Sequence, residues 1–144
     1  MAEVWREIVA EWKGEIAFIG QNAAGATVQM GTLGDQPGIS PMELLLMGVA
    51  GCTGMDIASI LAKKREPLDA LKVKVRGKRA ETYPMIYTEI EILYLLWGDG
   101  LDPKAVEQAI QLSEEKYCSA SAMMRGVAQI RSTYQILPPG AAEA

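Results

Sequence analysis

One segment constrains the fold more than any other: residues 40–67 carry complete start and stop signals for a long, mostly apolar helix. Ser40 suits the N-cap, Pro41 the first helical position, and Glu43 closes a capping box with Ser40. An apolar stretch from Leu44 to Ala50 follows, continued by Met55, Ile57, Ile60 and Leu61. Lys63, Lys64 and Arg65 complement the dipole at the C-terminal end, and Pro67 stops the helix. A helix so apolar is expected to be buried on most faces. Gly48, Gly51 and Gly54 recur every third residue along it. Each costs about 1 kcal/mol of helix stability relative to alanine, so the stripe predicts close approach of another backbone. That backbone is either a sheet of the same chain or a helix of a second subunit.

Short strands precede this helix. Val4 to Trp12 and Glu15 to Ile19 flank a turn at Lys13-Gly14, and Thr27 to Met30 forms a third strand. After the helix, Leu71 to Arg79 alternates, with Val73 and Val75 on one face and Lys72, Lys74, Arg76 and Lys78 on the other. Ile86 to Trp97 begins with alternation and ends in a continuous apolar run that predicts burial on both sides. The segment 80–84 joins these two strands as an antiparallel hairpin, whose basic and acidic outer faces pair across the strands. Asp102-Pro103 opens a second helix running to about Tyr117. Residues 119–125 supply one or two further turns, Val127 to Leu137 a last strand, and the tail from Pro138 is expected to be disordered. The expectation is one α/β (α+β) domain over residues 1–144, with antiparallel sheet elements around a long central helix.

Composition narrows function mainly by exclusion. A net charge of -4 argues against nucleic-acid binding. Eight of the 14 basic residues fall between Lys63 and Arg79, but acids at Glu66, Asp69, Glu81, Glu89 and Glu91 lie close by, and no stacking aromatics interleave them. With no apolar run of about 20 residues, no membrane-spanning helix is expected. The polar start Met1-Ala-Glu-Val-Trp-Arg is unlike a signal peptide, so a cytoplasmic location is expected.

The chain has no histidine and two cysteines. Imidazole-based nucleophile activation and His-ligated zinc are therefore absent, and sulfur is the strongest candidate nucleophile. No metal or other cofactor is expected, because neither histidine nor a paired cysteine spacing is present. Cys52 lies within the long helix, in Ala50-Gly51-Cys52-Thr53-Gly54. It is either a small core residue or a reactive thiol. Asp56, one turn away, is a like charge that disfavours a thiolate, and Lys63 is too far along the helix to offset it. Cys118 lies in Tyr117-Cys118-Ser119-Ala120-Ser121, with Arg125 two turns later. A helix starting there would favour a thiolate, whereas a tightly packed joint would simply need small residues. Glu43 has a structural explanation already, as the third residue of the capping box.

Two motifs in order, Ser40-Pro41-Met42-Glu43-Leu44 with Ala50-Gly51-Cys52, then Cys118-Ser119-Ala120-Ser121 with Arg125-Gly126, resemble the OsmC/Ohr family of small thiol-dependent hydroperoxide reductases. The likeness runs from about Trp5 to Leu137 and is nearer to a less characterised OsmC-like branch than to Ohr itself. It implies an intertwined homodimer with two central helices meeting in the middle and two sites at the interface. It also implies that Cys52 attacks an organic hydroperoxide, that Cys118 resolves the sulfenic acid as a disulfide, and that a dithiol reductant recycles it. The family's activating N-terminal arginine has no counterpart here; Lys13 is the only basic residue between Arg6 and Lys63. Met42 occupies the family's glutamate position, with Glu43 one residue later, so Lys13 and Glu43 are the candidate supporting groups. The alternative is a non-enzymatic small-molecule binder or redox sensor, its apolar interface pocket lined by Met42, Leu46, Met47 and Met55.

Overall fold

A computed structural model describes residues 3–143. Met1, Ala2 and Ala144 lie outside them, and with them the first two residues of the polar N-terminus and the last of the expected tail. The chain divides into two compact units between Leu45 and Leu46.

The first unit is an antiparallel sheet of β1 (Ile8–Gly14), β2 (Ala17–Asn22) and β3 (Thr27–Met30) in that order, leading into the start of α1 (Pro41–Lys63). The first turn lies at Glu15 and Ile16, two residues beyond the expected position. Gly14 and Glu15 both have positive φ, 121° and 50°, and the Trp12 indole N–H donates to the Glu15 carbonyl at 2.8 Å, which closes the turn there. Gly31 has φ 74°, and a Cβ on it would stand 2.9 Å from the Ile16 carbonyl oxygen, so only glycine fits. The α1 cap follows expectation: Ser40 N–H donates to Glu43 Oε1 at 2.8 Å, and Glu43 N–H donates to Ser40 Oγ at 3.1 Å.

The second unit packs the body of α1 with a sheet ordered β4-β5-β6, from β4 (Ala70–Arg79), β5 (Tyr87–Trp97) and β6 (Gln129–Leu137). The β4–β5 pair is antiparallel, and the outer charges pair as expected, Arg76 with Glu91 at 2.7 Å and Lys78 with Glu89 at 3.6 Å. By contrast β6 runs parallel to β5. A parallel neighbour needs a crossover, and α2 (Pro103–Leu112), a π-helical turn (Ser113–Tyr117) and α3 (Ser119–Arg125) provide it. The tail is not loose over its described residues. The Trp97 indole donates to the Ala141 carbonyl at 2.7 Å, and Glu143 pairs with Lys72 and Lys74.

Two features of α1 differ from the sequence expectation. Only the line Val49, Thr53, Ile57 and Leu61, spaced four residues apart, is buried; Met47 and Met55 are 51% and 76% exposed in the single chain. A helix lying on one sheet has one side covered and the others bare. The glycine stripe splits likewise. A Cβ on Gly54 would meet Val73 of β4 at 3.3 Å, whereas Gly48 and Gly51 face open space. The helix is also long and apolar enough, by length and composition, to cross a bilayer, although the sequence pattern predicts no membrane-spanning helix. Its buried line and its internal Asp56 fit a central helix of a folded domain.

Candidate thiol site

The continuous helix α1 sets Cys52 and Asp56 one turn apart, both half-buried. Facing them is an interruption in the crossover. Asp102 caps α2, its side chain accepting the Lys104 N–H at 3.1 Å. At Ser113 the helix widens into a π turn, closed by Cys118 N–H donating to the Ser113 carbonyl at 2.7 Å. Cys118 then leaves helical geometry (φ −77°, ψ 101°) and becomes the N-cap of α3.

The interruption turns three groups inward. The fully buried Ser113 hydroxyl donates to Asp56 Oδ2 at 2.9 Å. The buried Cys118 sulfur accepts hydrogen bonds from Ser121 N–H at 3.3 Å and Ser121 Oγ at 3.1 Å. Glu114 accepts from the Tyr94 hydroxyl at 2.9 Å and from Ser132 at 3.1 Å, which ties the turn to β5 and β6. Arg125 Nη2 donates to the Glu114 carbonyl at 2.5 Å, so its guanidinium braces the joint.

As a result the sulfurs of Cys52 and Cys118 and a carboxylate oxygen of Asp56 lie within 4.8 Å of one another. Both thiols are free. Burial pushes the Cys118 thiol up from its ordinary value; the two Ser121 donors pull it down by less, and the neighbouring Cys52 adds a further upward push. Burial and the Glu114 charge likewise hold the Tyr94 hydroxyl protonated.

The other expected site residues have separate local roles. Lys13 pairs with Glu11 at 3.0 Å across two residues of β1. Glu43 is engaged in the helix cap, and its carboxyl is held below the usual range first by the Ser40 backbone N–H and then by the Ser40 side chain. Met47 and Met55 are exposed, while Met42 and Leu46 are half-buried. Sequence reasoning missed Ser113, Glu114 and Tyr94. Nothing in the run Ser113-Glu-Glu-Lys-Tyr117 marks a π turn, and without that turn Ser113 has no reason to point inward.

Comparison with known proteins places this arrangement. The profile of the family described as "OsmC-like protein" matches residues 34–133, which include both cysteines. This chain belongs to the OsmC-like protein family. Within related sequences, protein YhfA of Escherichia coli strain K12 is 35% identical over 128 residues, 88% of this chain and 95% of its own length. A hypothetical protein from Aquifex aeolicus VF5 has a crystal structure 37% identical to this chain, with a TM-score of 0.85 over 95% of this chain and 98% of the other. An organic hydroperoxide resistance protein OsmC from Legionella pneumophila superposes with a TM-score of 0.66 at 15% identity, covering 94% and 99% of the two chains. At that identity it shows the fold alone.

Proposed function

We propose that this OsmC-like protein is a thiol-dependent peroxidase that reduces organic hydroperoxides through Cys52 and Cys118. The observation that carries the reading is the approach of two thiols from distant parts of one chain to within 4.8 Å. A disulfide needs about 2.05 Å between sulfurs, so less than about 3 Å of motion closes the bond. The Cys52 thiolate attacks a peroxide oxygen, the O–O bond breaks, and the departing alkoxide takes up a proton and leaves as alcohol. The sulfur is left as a sulfenic acid. Cys118 attacks it, the S–O bond breaks, water leaves, and a Cys52–Cys118 disulfide remains. An external dithiol then reduces the disulfide.

Support for an organic peroxide comes from the apolar, exposed Met47 and Met55 on the helix that carries Cys52. Two copies joined through the uncovered side of α1 would bury these methionines and fill the space beside Gly48 and Gly51. Sedimentation of the purified protein tests that assembly, with a dimer expected.

The activity is tested by peroxide consumption under excess dithiol, comparing hydrogen peroxide with an alkyl hydroperoxide. Faster turnover of the alkyl substrate, lost in Cys52→Ser, is expected. Absence of turnover above the dithiol background, in folded dimeric protein, overturns the reading. It would favour the apolar binder or redox sensor, a reading supported by the acid beside Cys52 with no cation paired to it among the described residues.

A further inference from the structure

We infer that Cys52, Asp56 and Cys118 form a binding site for one zinc-class divalent cation, with two sulfur ligands, one oxygen ligand and a fourth position left open. This goes beyond the peroxidase reading and does not depend on it, since it concerns the reduced protein in the absence of peroxide.

Three observations carry the inference. First, the geometry is close to that of a tetrahedral site. Two sulfurs each about 2.3 Å from a tetrahedral zinc stand about 3.8 Å apart, and a carboxylate oxygen binds at about 2.0–2.2 Å. The three candidate atoms already lie within 4.8 Å of one another, so about 1 Å of side-chain adjustment seats the ion. Second, the ligands are already oriented by outer groups. Ser113 Oγ donates to Asp56 Oδ2 at 2.9 Å, which fixes the carboxylate beside the two sulfurs. Ser121 directs two donors onto the Cys118 sulfur, as hydrogen bonds support coordinated thiolates elsewhere. Third, no protein cation serves this corner among the described residues. Three groups that can each become anionic share one half-buried corner, and among the described residues no lysine or arginine pairs with Asp56. A divalent ion would draw all three toward one centre by taking the place of the thiol protons.

The ligand set also selects the metal. Thiolates favour zinc, cadmium and other soft or borderline ions over magnesium and calcium. On binding, each thiol releases one proton to solvent and the carboxylate releases none. The ion and the Cys52–Cys118 disulfide are mutually exclusive, because each uses both sulfurs.

Titration of the reduced full-length protein with zinc against a chromophoric chelator tests the site, with cadmium providing an ultraviolet sulfur-to-metal band. One zinc per chain is expected. Affinity should fall at least ~100-fold in Cys52→Ser and Cys118→Ser and at least ~10-fold in Asp56→Asn, and binding should vanish in the oxidised wild type. Because a variant could fail to fold, a second measurement uses wild-type protein alone. Zinc, but not magnesium, should slow alkylation of both cysteines. No zinc binding by the reduced wild type, or equal affinity in Asp56→Asn, or alkylation unchanged by zinc, overturns the inference. Peroxide turnover measured on the same preparation is read separately, so loss of one result leaves the other standing.

Discussion

The two cysteines sit in opposite kinds of backbone. Cys52 is on an unbroken 23-residue helix, its position set by a buried line of four residues and a reciprocal cap at the helix start. Cys118 is at a discontinuity, between a π turn and a short helix, and its sulfur is set by two bonds from Ser121. One thiol is positioned by regular structure and the other by a local departure from it. Regular structure sets a direction along a long lever, while the discontinuity supplies the donors that hold a sulfur. A site needing both a fixed nucleophile and a partner close to it can be built from one of each.

The comparison is broken most directly at sulfur. Cys52→Ser should lower alkyl hydroperoxide turnover at least ~1000-fold, about 4 kcal/mol in barrier, measured as steady-state peroxide consumption. Cys118→Ser should retain one equivalent of peroxide consumption and accumulate a sulfenic acid that a dimedone-type probe captures. If both variants behaved alike, the assignment of distinct roles would be wrong.

Next in size is the lever itself. Ile57 is fully buried in the α1 line, and Ile57→Ala should cost about 2–5 kcal/mol, read from the urea midpoint. The cap is worth less. Ser40→Ala should cost about 1 kcal/mol by the same measurement. Glu43 adds a pH signature. Its folded carboxyl is held below its unfolded value, so its contribution is complete above the unfolded pKa and is lost as pH falls through the folded one. The stability gap between wild type and Glu43→Ala should therefore be widest at neutral pH and shrink in acid.

The smallest change sharpens the other half of the comparison. Ser121→Ala removes the hydroxyl donor to Cys118, one of the groups pulling its thiol down against burial. The pH at which Cys118 becomes alkylated should rise relative to wild type, with the fold unchanged by circular dichroism. A downward move would show that Ser121 does not stabilise the thiolate.

The same contrast explains what the sequence revealed. The capping box, the β4–β5 pairing of opposite charges and the Asp102 cap are local rules, and each was legible from neighbouring residues. Helix α3 beginning at Cys118 was legible too, as a small-residue segment after a long helix. The π turn was not, because it differs from an α-helix only by one residue's worth of backbone. The parallel partnership of β5 and β6 was hidden for a related reason, since alternation fixes which face a strand buries but not its direction. Local rules set Asp56 one turn from Cys52, and the family resemblance implied that Cys118 meets Cys52, but the way Cys118 is carried there depends on both of these unreadable features. Spacing arguments for metal sites look for ligands close in sequence, so they do not reach the set inferred above, which is drawn from two separate segments. The bare sides of α1 have yet another origin: apolarity on a helix says that something covers it, without saying which chain does.

The parallel crossover also governs when the site can exist during folding. Glu114 is bonded to Tyr94 on β5 and to Ser132 on β6, so the turn preceding Cys118 gains its full set of anchors once the last strand has paired. Pairing between such distant segments is slow compared with forming α1, whose contacts are local. Trapping thiols during refolding should find Cys52 and Cys118 unlinked until β6 has docked. On this reasoning the proposed thiol pair comes together late, after β6 has taken its place beside β5.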